Sequence, residues 1–232
     1  MMIDVSELAE VIPPLDRALR RKLESVVEQA REIAETAAKS SLQQLGVGDA
    51  SPPTFLTPAE RDLRRRLRSH GRQLDDQRDS RTDIQEIDRL VEEVAYEHWH
   101  RMLFARFLAE NDLLMYPGSP PVSISLEECE ELAAEEGAKS GWELASRFAG
   151  QMLPQIFRAD SVVLELMLAP EHEQALEGLL TELPIEVFRA SDALGWIYQF
   201  WQSRRKEEVN ASQVKIGARE LPSVTQLFTE PY

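Results

Sequence analysis

Arginine at 64, 65, 66 and 68, flanked by Arg61 and Arg72, is the densest chemistry-bearing pattern in the chain. A guanidinium is a planar fork of donors that grips phosphate bidentately, so this spacing on two helical turns could neutralise several phosphates of duplex DNA. Arg61, Arg64, Arg65, Arg68 and Arg72 are the candidate DNA-binding residues. Nothing in the segment reads as base-specific. The competing reading is that the same arginines pair with an acidic body. The net charge is −15, yet residues 61–81 carry eight Arg against four Asp, a local +4 that leaves −19 for the rest. Such a split implies one basic face on an acidic protein.

Other candidate groups point away from catalysis. His98 and His100 beside Glu97 invite a metal reading, but residues two apart on a helix diverge by about 200°, so they cannot share an ion. His70 and His172 are isolated in sequence. Packing or a satisfied hydrogen bond is the expected role for these histidines, and no metal ligand is assigned. Glu127, Glu128, Glu130, Glu131, Glu135 and Glu136 read as a solvated helix face. Cys129 sits among four of them, where like charge disfavours its thiolate, so it is read as inert. A single cysteine excludes an internal disulfide framework and fits a reducing cytoplasm. No Gly-rich phosphate loop, G-x-S-x-G elbow or Cys pair at zinc spacing is present, and no catalytic residue is assigned.

The elements that must position these groups are helical. Leu15, Leu19, Leu23, Val26, Val27, Ala30, Ile33, Ala34, Ala37 and Ala38 recur at three and four, marking one helix over about 14–45. GVGDASPP over 46–53 is a linker. Thr57-Pro58-Ala59-Glu60 supplies a cap, a first-turn proline and a capping-box glutamate for the arginine helix, with Leu63, Leu67 and Leu74 on one face. About 83–112 is the most apolar helix, covering more than one face and therefore central. Ser125 and Glu128 form a second capping box, predicting a helix to about 136. Trp142 to Leu153 gives another, Pro170 to Leu183 a short one, and a last runs over 192–209 from Ser191. Residues 162–168 (VVLELML) fit a strand or a buried helical stretch equally well. The predicted fold is mainly α, a multi-helix domain with little or no sheet. No apolar run is long enough to span a membrane.

Two segments resemble a known family. Residues 95–114, AYEHWHRMLFARFLAENDLL, are similar to a helix reading Tyr-x-x-Phe/Trp-x-Arg-x-x-x-x-Arg-Phe-x-x-x-Asn, carried here by Tyr96, Trp99, Arg101, Arg106, Phe107 and Asn111. Residues 192–210 contain Leu194-Gly195-x-x-Tyr198-Gln199-Phe200, followed some two dozen residues later by Thr225-Gln226-Leu227-Phe228-Thr229. This order resembles the adenine-specific DNA methyltransferases of the bacteriophage-exclusion and DISARM systems, over roughly residues 90–232. Residues 1–80 add nothing diagnostic. In that family the Thr-Gln-x-Phe-Thr segment opens the S-adenosylmethionine pocket, so the resemblance makes Phe228 and Thr229 candidate cofactor-binding residues. The usual Thr-Pro is Thr229-Glu230-Pro231 here. The family's Gly-rich cofactor loop and Asn/Asp-Pro-Pro-Tyr/Phe segment, which grips a flipped adenine, do not occur in this sequence.

The resemblance therefore implies a non-catalytic N-terminal helical part of such an enzyme, leading into a Rossmann-like domain. The expected divisions are 1–50, a long helix and linker; 51–215, a helical domain with the arginine helix; and 216–232, the start of the methyltransferase motif region. S-adenosylmethionine is a cofactor of the parent enzyme, and none is expected for this chain alone. Expected partners are duplex DNA through the parent, a catalytic domain in the same or a separately encoded chain, and other defence-system subunits; no membrane is expected. The alternative is a stand-alone acidic helical interaction protein, such as a DNA mimic. Trp99, Phe104, Phe107, Trp196, Phe200 and Trp201 are expected in the core, and an exposed patch around Phe228 and Tyr232.

Overall fold

The protein is described by a computed structural model over residues 12–158 and 160–212, with side chains through 203. It is mainly α, as predicted. In chain order the elements are α1 (Arg17–Gln44), α2 (Pro58–Gln73), α3 (Asp88–Glu110), strands β1 (Met115–Tyr116) and β2 (Val122–Ser123), α4 (Leu126–Leu132), α5 (Gly141–Met152), α6 (Pro154–Phe157), a 3-10 turn (Val162–Glu165), α7 (Pro170–Glu182), α8 (Ile185–Arg189) and α9 (Ala193–Ser212). Chain contacts gather these into two compact units, residues 29–182 and residues 1–28 with 183–232.

In the larger unit α3 is central, because α5, the 3-10 turn, α2 and α7 all contact it. Its buried residues Leu90, Val91, Val94, Ala95, Trp99, Leu103, Ala105 and Leu108 lie on more than one face. Around its C-terminal half, Ala105, Leu108, Leu114, Ile124, Cys129, Leu144, Phe148 and Phe157 form one apolar cluster. Cys129 is fully buried there, and burial first, then the Glu128 charge, pushes its thiol up to about 11. The thiolate is therefore suppressed at neutral pH.

Helix starts follow their caps. Thr57 Oγ1 accepts the Glu60 amide at 3.3 Å while the Glu60 carboxylate accepts the Thr57 amide at 2.8 Å. Ser125 and Glu128 repeat this reciprocal pair at 3.1 and 2.8 Å. Gly141 opens α5 because a Cβ there would stand 2.6 Å from the Glu130 amide nitrogen, so only glycine lets α4 and α5 approach this closely.

Helix α3 starts at Asp88, five residues later than the predicted 83. The reason is backbone competition. The Asp79 amide donates to the Ile84 carbonyl, that of Gln85 to Gly48 and that of Glu86 to Gln77, at 2.8–2.9 Å, and Asp83 has φ 61°. These bonds hold 77–86 as an irregular loop and leave Ile84 57% exposed instead of in the core. Ile87 at the cap position has no side-chain bond. Asp76 does its work from the loop, accepting Arg89 and Leu90 amides at 2.9 and 3.1 Å.

Three further differences are local. The Pro117–Pro121 break closes a two-residue antiparallel ladder pairing Met115 with Ser123 and Tyr116 with Val122. VVLELML is neither strand nor α-helix: it begins as the 3-10 turn and continues extended, burying Val163, Leu166 and Leu168. The helix from Ser125 ends at Leu132, where a turn takes the chain to Gly137 at φ 67°.

In the smaller unit Asp192 ties the chain together. Its Oδ1 accepts the Leu15 amide at 2.7 Å and its Oδ2 the Trp196 indole N–H at 2.8 Å. Trp196 stacks on Phe200 at 5.5 Å, and the Arg20 guanidinium lies 4.0 Å over the Trp196 ring. The Asp192 carboxylate thus holds Leu15 and the Trp196 indole at the start of α9. Trp99, Trp196, Phe200 and Trp201 are buried as predicted, whereas Phe104 and Phe107 are only partly so. Residues 213–232, with the motif at 225–229 and the patch expected near Phe228 and Tyr232, lie outside the described residues.

This burial order sets an expectation for stability. Trp99→Ala, emptying a site that is 1% exposed, should cost about 3–5 kcal/mol, and Phe107→Ala distinctly less. Urea unfolding of the two variants decides it, and equal losses would contradict the packing described.

Candidate nucleic-acid interface

At about 100° per residue, Arg61, Arg65, Arg68 and Arg72 fall within about 60° of one another on α2, opposite Leu63, Leu67 and Leu74. Angle alone would send all four, and Arg64 about 40° beyond Arg68, to solvent. The structure divides them. Arg64 and Arg68 are buried, at 6% and 7% exposure. Arg64 donates from Nε to the Gly46 carbonyl at 2.9 Å and from Nη2 to the Asp49 carbonyl at 2.5 Å. Arg68 donates from Nη1 to the Val47 and Asp49 carbonyls at 2.7 and 2.6 Å, and from Nη2 to the Asp83 carbonyl at 2.8 Å. Burial lowers both guanidinium pKa values, opposed by the Asp83 charge in each case and by Asp49 for Arg64. These two arginines anchor the loops at 46–49 and 83.

Gly46 makes that anchorage possible. Its φ of 62° is left-handed, and a Cβ there would meet the Pro53 ring at 2.6 Å. The turn it allows aims the carbonyls of 46, 47 and 49 at one side of α2. Gln85, itself buried, locks the third wall: its Nε2 donates to the Arg68 carbonyl at 3.0 Å and its Oε1 accepts from Arg72 Nη1 at 3.1 Å.

The exposed arginines divide again by compensation. Arg66 makes a fork-to-fork pair with Glu165, at 2.5 and 2.6 Å, and also reaches Asp62 at 3.0 Å. Those bonds, the Glu165 one first, raise its pKa. Arg65 meets Asp62 at 2.6 Å with its side chain 75% exposed. Arg61 donates only to the neutral carbonyls of Leu56 and Thr54, at 3.0 and 3.2 Å. Arg72 meets only the Gln85 amide. In the loop before α3, Arg78 pairs with Asp83, and Arg81, 92% exposed, stands 4.0 Å from Asp79. On α2 and the loop after it, the exposed arginines with no carboxylate partner among the described residues are Arg61 and Arg72, with Arg65 and Arg81 half-neutralised beside them.

The histidines take separate roles. His98 Nε2 donates to the Val163 carbonyl at 3.2 Å, and burial first, with the Arg101 charge adding to it, lowers its pKa to about 4 against that bond. His100 sits among the Tyr96, Phe104 and Phe157 rings at 5.3–6.2 Å. His70 Nε2 meets Glu93 at 3.1 Å. Among the described residues no group of three His, Cys, Asp or Glu could hold a metal ion, and no helix is long and apolar enough to cross a membrane. Of the family-like helix pattern, Trp99 and Arg106 are buried, Arg106 Nε reaches Glu110 at 3.2 Å, and Asn111 Nδ2 donates to the Phe107 carbonyl at 2.8 Å.

One protein relative bears on this architecture. The chain is 35% identical over 81 residues to the adenine-specific methyltransferase BrxX of Escherichia coli O9:H4 (strain HS), a stretch amounting to 33% of this chain and 6% of that protein. The chain thus spans a small part of its relative's length. No family model matches the chain, and no solved structure matches it.

Sequence reasoning placed all five arginines in one role because a charge has no visible partner in a linear pattern. The available signal was the neighbour: a Gly/Pro-rich linker whose carbonyls have no helix or strand to bond to must find donors elsewhere. Hydrogen bonds from charged donors contribute about 1.5–3 kcal/mol each, so Arg64→Ala and Arg68→Ala should lower the urea midpoint strongly. Arg65→Ala and Arg72→Ala should leave it almost unchanged. The half-buried His98 imidazole sets a second expectation. Folded His98 binds its proton near pH 4, against 6.5 when free, so its contribution is full above about 6.5 and disappears as pH falls toward 4. A loss on the order of 3 kcal/mol follows from that shift. His98→Gln should flatten the pH–stability curve between those values.

Proposed function

We propose that this chain is a non-catalytic helical part of an adenine-specific DNA methyltransferase of the phage-defence type, and that it contacts the DNA backbone through the exposed arginines of α2. The stretch of identity to an adenine-specific methyltransferase carries the reading. The Leu-Gly-x-x-Tyr-Gln-Phe element at 194–200 and the Thr-Gln-Leu-Phe-Thr segment at 225–229 add to it. In this reading duplex DNA is met by the parent enzyme in the cytoplasm. S-adenosylmethionine is bound by its catalytic domain, with Phe228 and Thr229 near the opening of that pocket. Catalytic groups lie in that domain, and other defence-system subunits dock on the assembly.

The DNA-contacting set is Arg61, Arg65 and Arg72, joined by Arg81 from the neighbouring loop. Their charge is uncompensated or half-compensated and faces water. Arg64 and Arg68 support this row by holding the loops against α2. Backbone contacts of this kind position a duplex without reading its sequence.

The net charge of −15 favours a second reading, a stand-alone acidic protein that occupies another protein's DNA groove. Such a mimic needs carboxylates spread over its surface and has no use for a row of exposed arginines.

A titration with duplex DNA at two salt concentrations separates the two. The combined Arg65→Glu/Arg72→Glu variant should bind more weakly across all sequences and lose about two units of salt slope. Absence of binding by the unaltered chain at low salt would overturn the DNA contact and leave subunit docking as the role of this face.

A further inference from the structure

A cavity of about 190 Å³ opens within the larger unit between α3, the start of α5, the 162–168 segment and α7. Its walls are of two kinds. Trp142, Met102, Leu164 and Met167 supply an apolar lining. Arg101 and Lys139 supply two positive charges, and Glu143, Glu173 and Glu177 three negative ones. The charges are ordered. Glu173 and Glu177 stand one turn apart on α7, and Glu177 is hydrogen-bonded by the Ser140 side chain. Burial first, then mutual and neighbouring carboxylate repulsion, raises the pKa of Glu177, and Lys139 only partly offsets the same effect on Glu173. Arg101 projects from α3 with His98, whose imidazole is neutral at pH 7.

Arg101 is the unexplained group. It is half-buried, its Nε meets no acceptor, and the Glu143 charge partly offsets its desolvation without a salt bridge to it. A half-buried guanidinium with an unsatisfied Nε carries a desolvation cost that a bound acceptor would offset. The DNA-facing row does not use it, nor does the core.

We propose that this cavity binds a small zwitterion of amino-acid size, its anionic group on Arg101, its ammonium between Glu173 and Glu177, and its apolar body against Trp142. The charge count argues for both ends together. An inorganic anion would meet three carboxylates, and a simple amine would leave the Arg101 Nε without an acceptor and face the guanidinium's repulsion. The volume is below that of a drug-sized site and suits a ligand of about ten heavy atoms.

The test is calorimetry and thermal shift on the intact chain at pH 7, with L-leucine and L-phenylalanine as whole probes. Isoamylamine and 4-methylpentanoate serve as half probes, and inorganic phosphate as a plain anion. At least one amino acid should bind about tenfold more tightly than either half probe. Arg101→Met should abolish the advantage over the amine, and Glu173→Gln/Glu177→Gln the advantage over the acid. The half-probe comparison needs only the unaltered protein, so it stands if a variant fails to fold. Three outcomes overturn the proposal: no binding of either amino acid at about ten millimolar, a range where even weak sites register; amine binding as tight as the amino acids; or phosphate binding that displaces them.

Discussion

Two guanidiniums buried against loop carbonyls are the constraint on which the larger unit depends. The chain between α1 and α2 and the chain between α2 and α3 are irregular, so their backbone carbonyls have no ladder of their own. Arg64 and Arg68 reach across α2 to the carbonyls of Gly46, Val47, Asp49 and Asp83. Planar forks suit this better than ammonium groups, because one guanidinium can serve carbonyls from two separate loops at fixed angles. The consequences run outward. Once residues near 83 are fixed, Asp76 can sit at the start of α3 and accept its free amides. Once 46–49 is fixed, the Gly48 carbonyl can take the Gln85 amide, and Gln85 can close on Arg68 and Arg72. The position of the central helix thus follows from bonds made by its neighbour.

What could be read from the sequence was whatever depends on near neighbours. Both capping boxes fall where Thr57/Glu60 and Ser125/Glu128 put them, since a cap needs only four residues to declare itself. The apolar recurrence of α1 and α5 likewise marked real helices. What could not be read depends on partners distant in the chain. The five residues before Asp88 have helical spacing, yet carbonyls and amides at Gly48, Gln77 and Asp79 capture them. VVLELML has the composition of a strand, but among the described residues no second strand pairs with it, and the His98 side chain donates to the Val163 carbonyl. The candidate site shows the same limit. Arginine spacing located α2 as the charged element. Only folding shows which guanidiniums are enclosed and that Glu165, 99 residues away, neutralises Arg66.

The acidity of the chain acquires a location in the same way. Glu127, Glu128, Glu130, Glu131 and Glu135 are exposed on and after α4, where the first turn of the helix favours negative charge. The basic row lies on α2 and its following loop. A protein with net charge −15 would repel DNA at long range, so contact through α2 requires the local field of the row to prevail close in. Screening weakens the repulsion from carboxylates more than about 8 Å away at physiological salt.

The two sites proposed for this chain obey opposite electrostatics, and that difference gives each an independent signature. The α2 row works in water, where each charge is weak and salt displaces it. The α3–α7 cavity works partly out of water, where a charge without a partner is costly and a matched one is held firmly. Ionic strength should therefore loosen a duplex from Arg61, Arg65 and Arg72 while barely touching a zwitterion held between Arg101 and Glu173/Glu177. Arg101 belongs to the family-like pattern of α3, and Arg61 and Arg65 lie in the part of the chain that adds nothing to that resemblance. The cavity thus lies in the segment that carries the resemblance to the methyltransferases, and the basic row lies outside it.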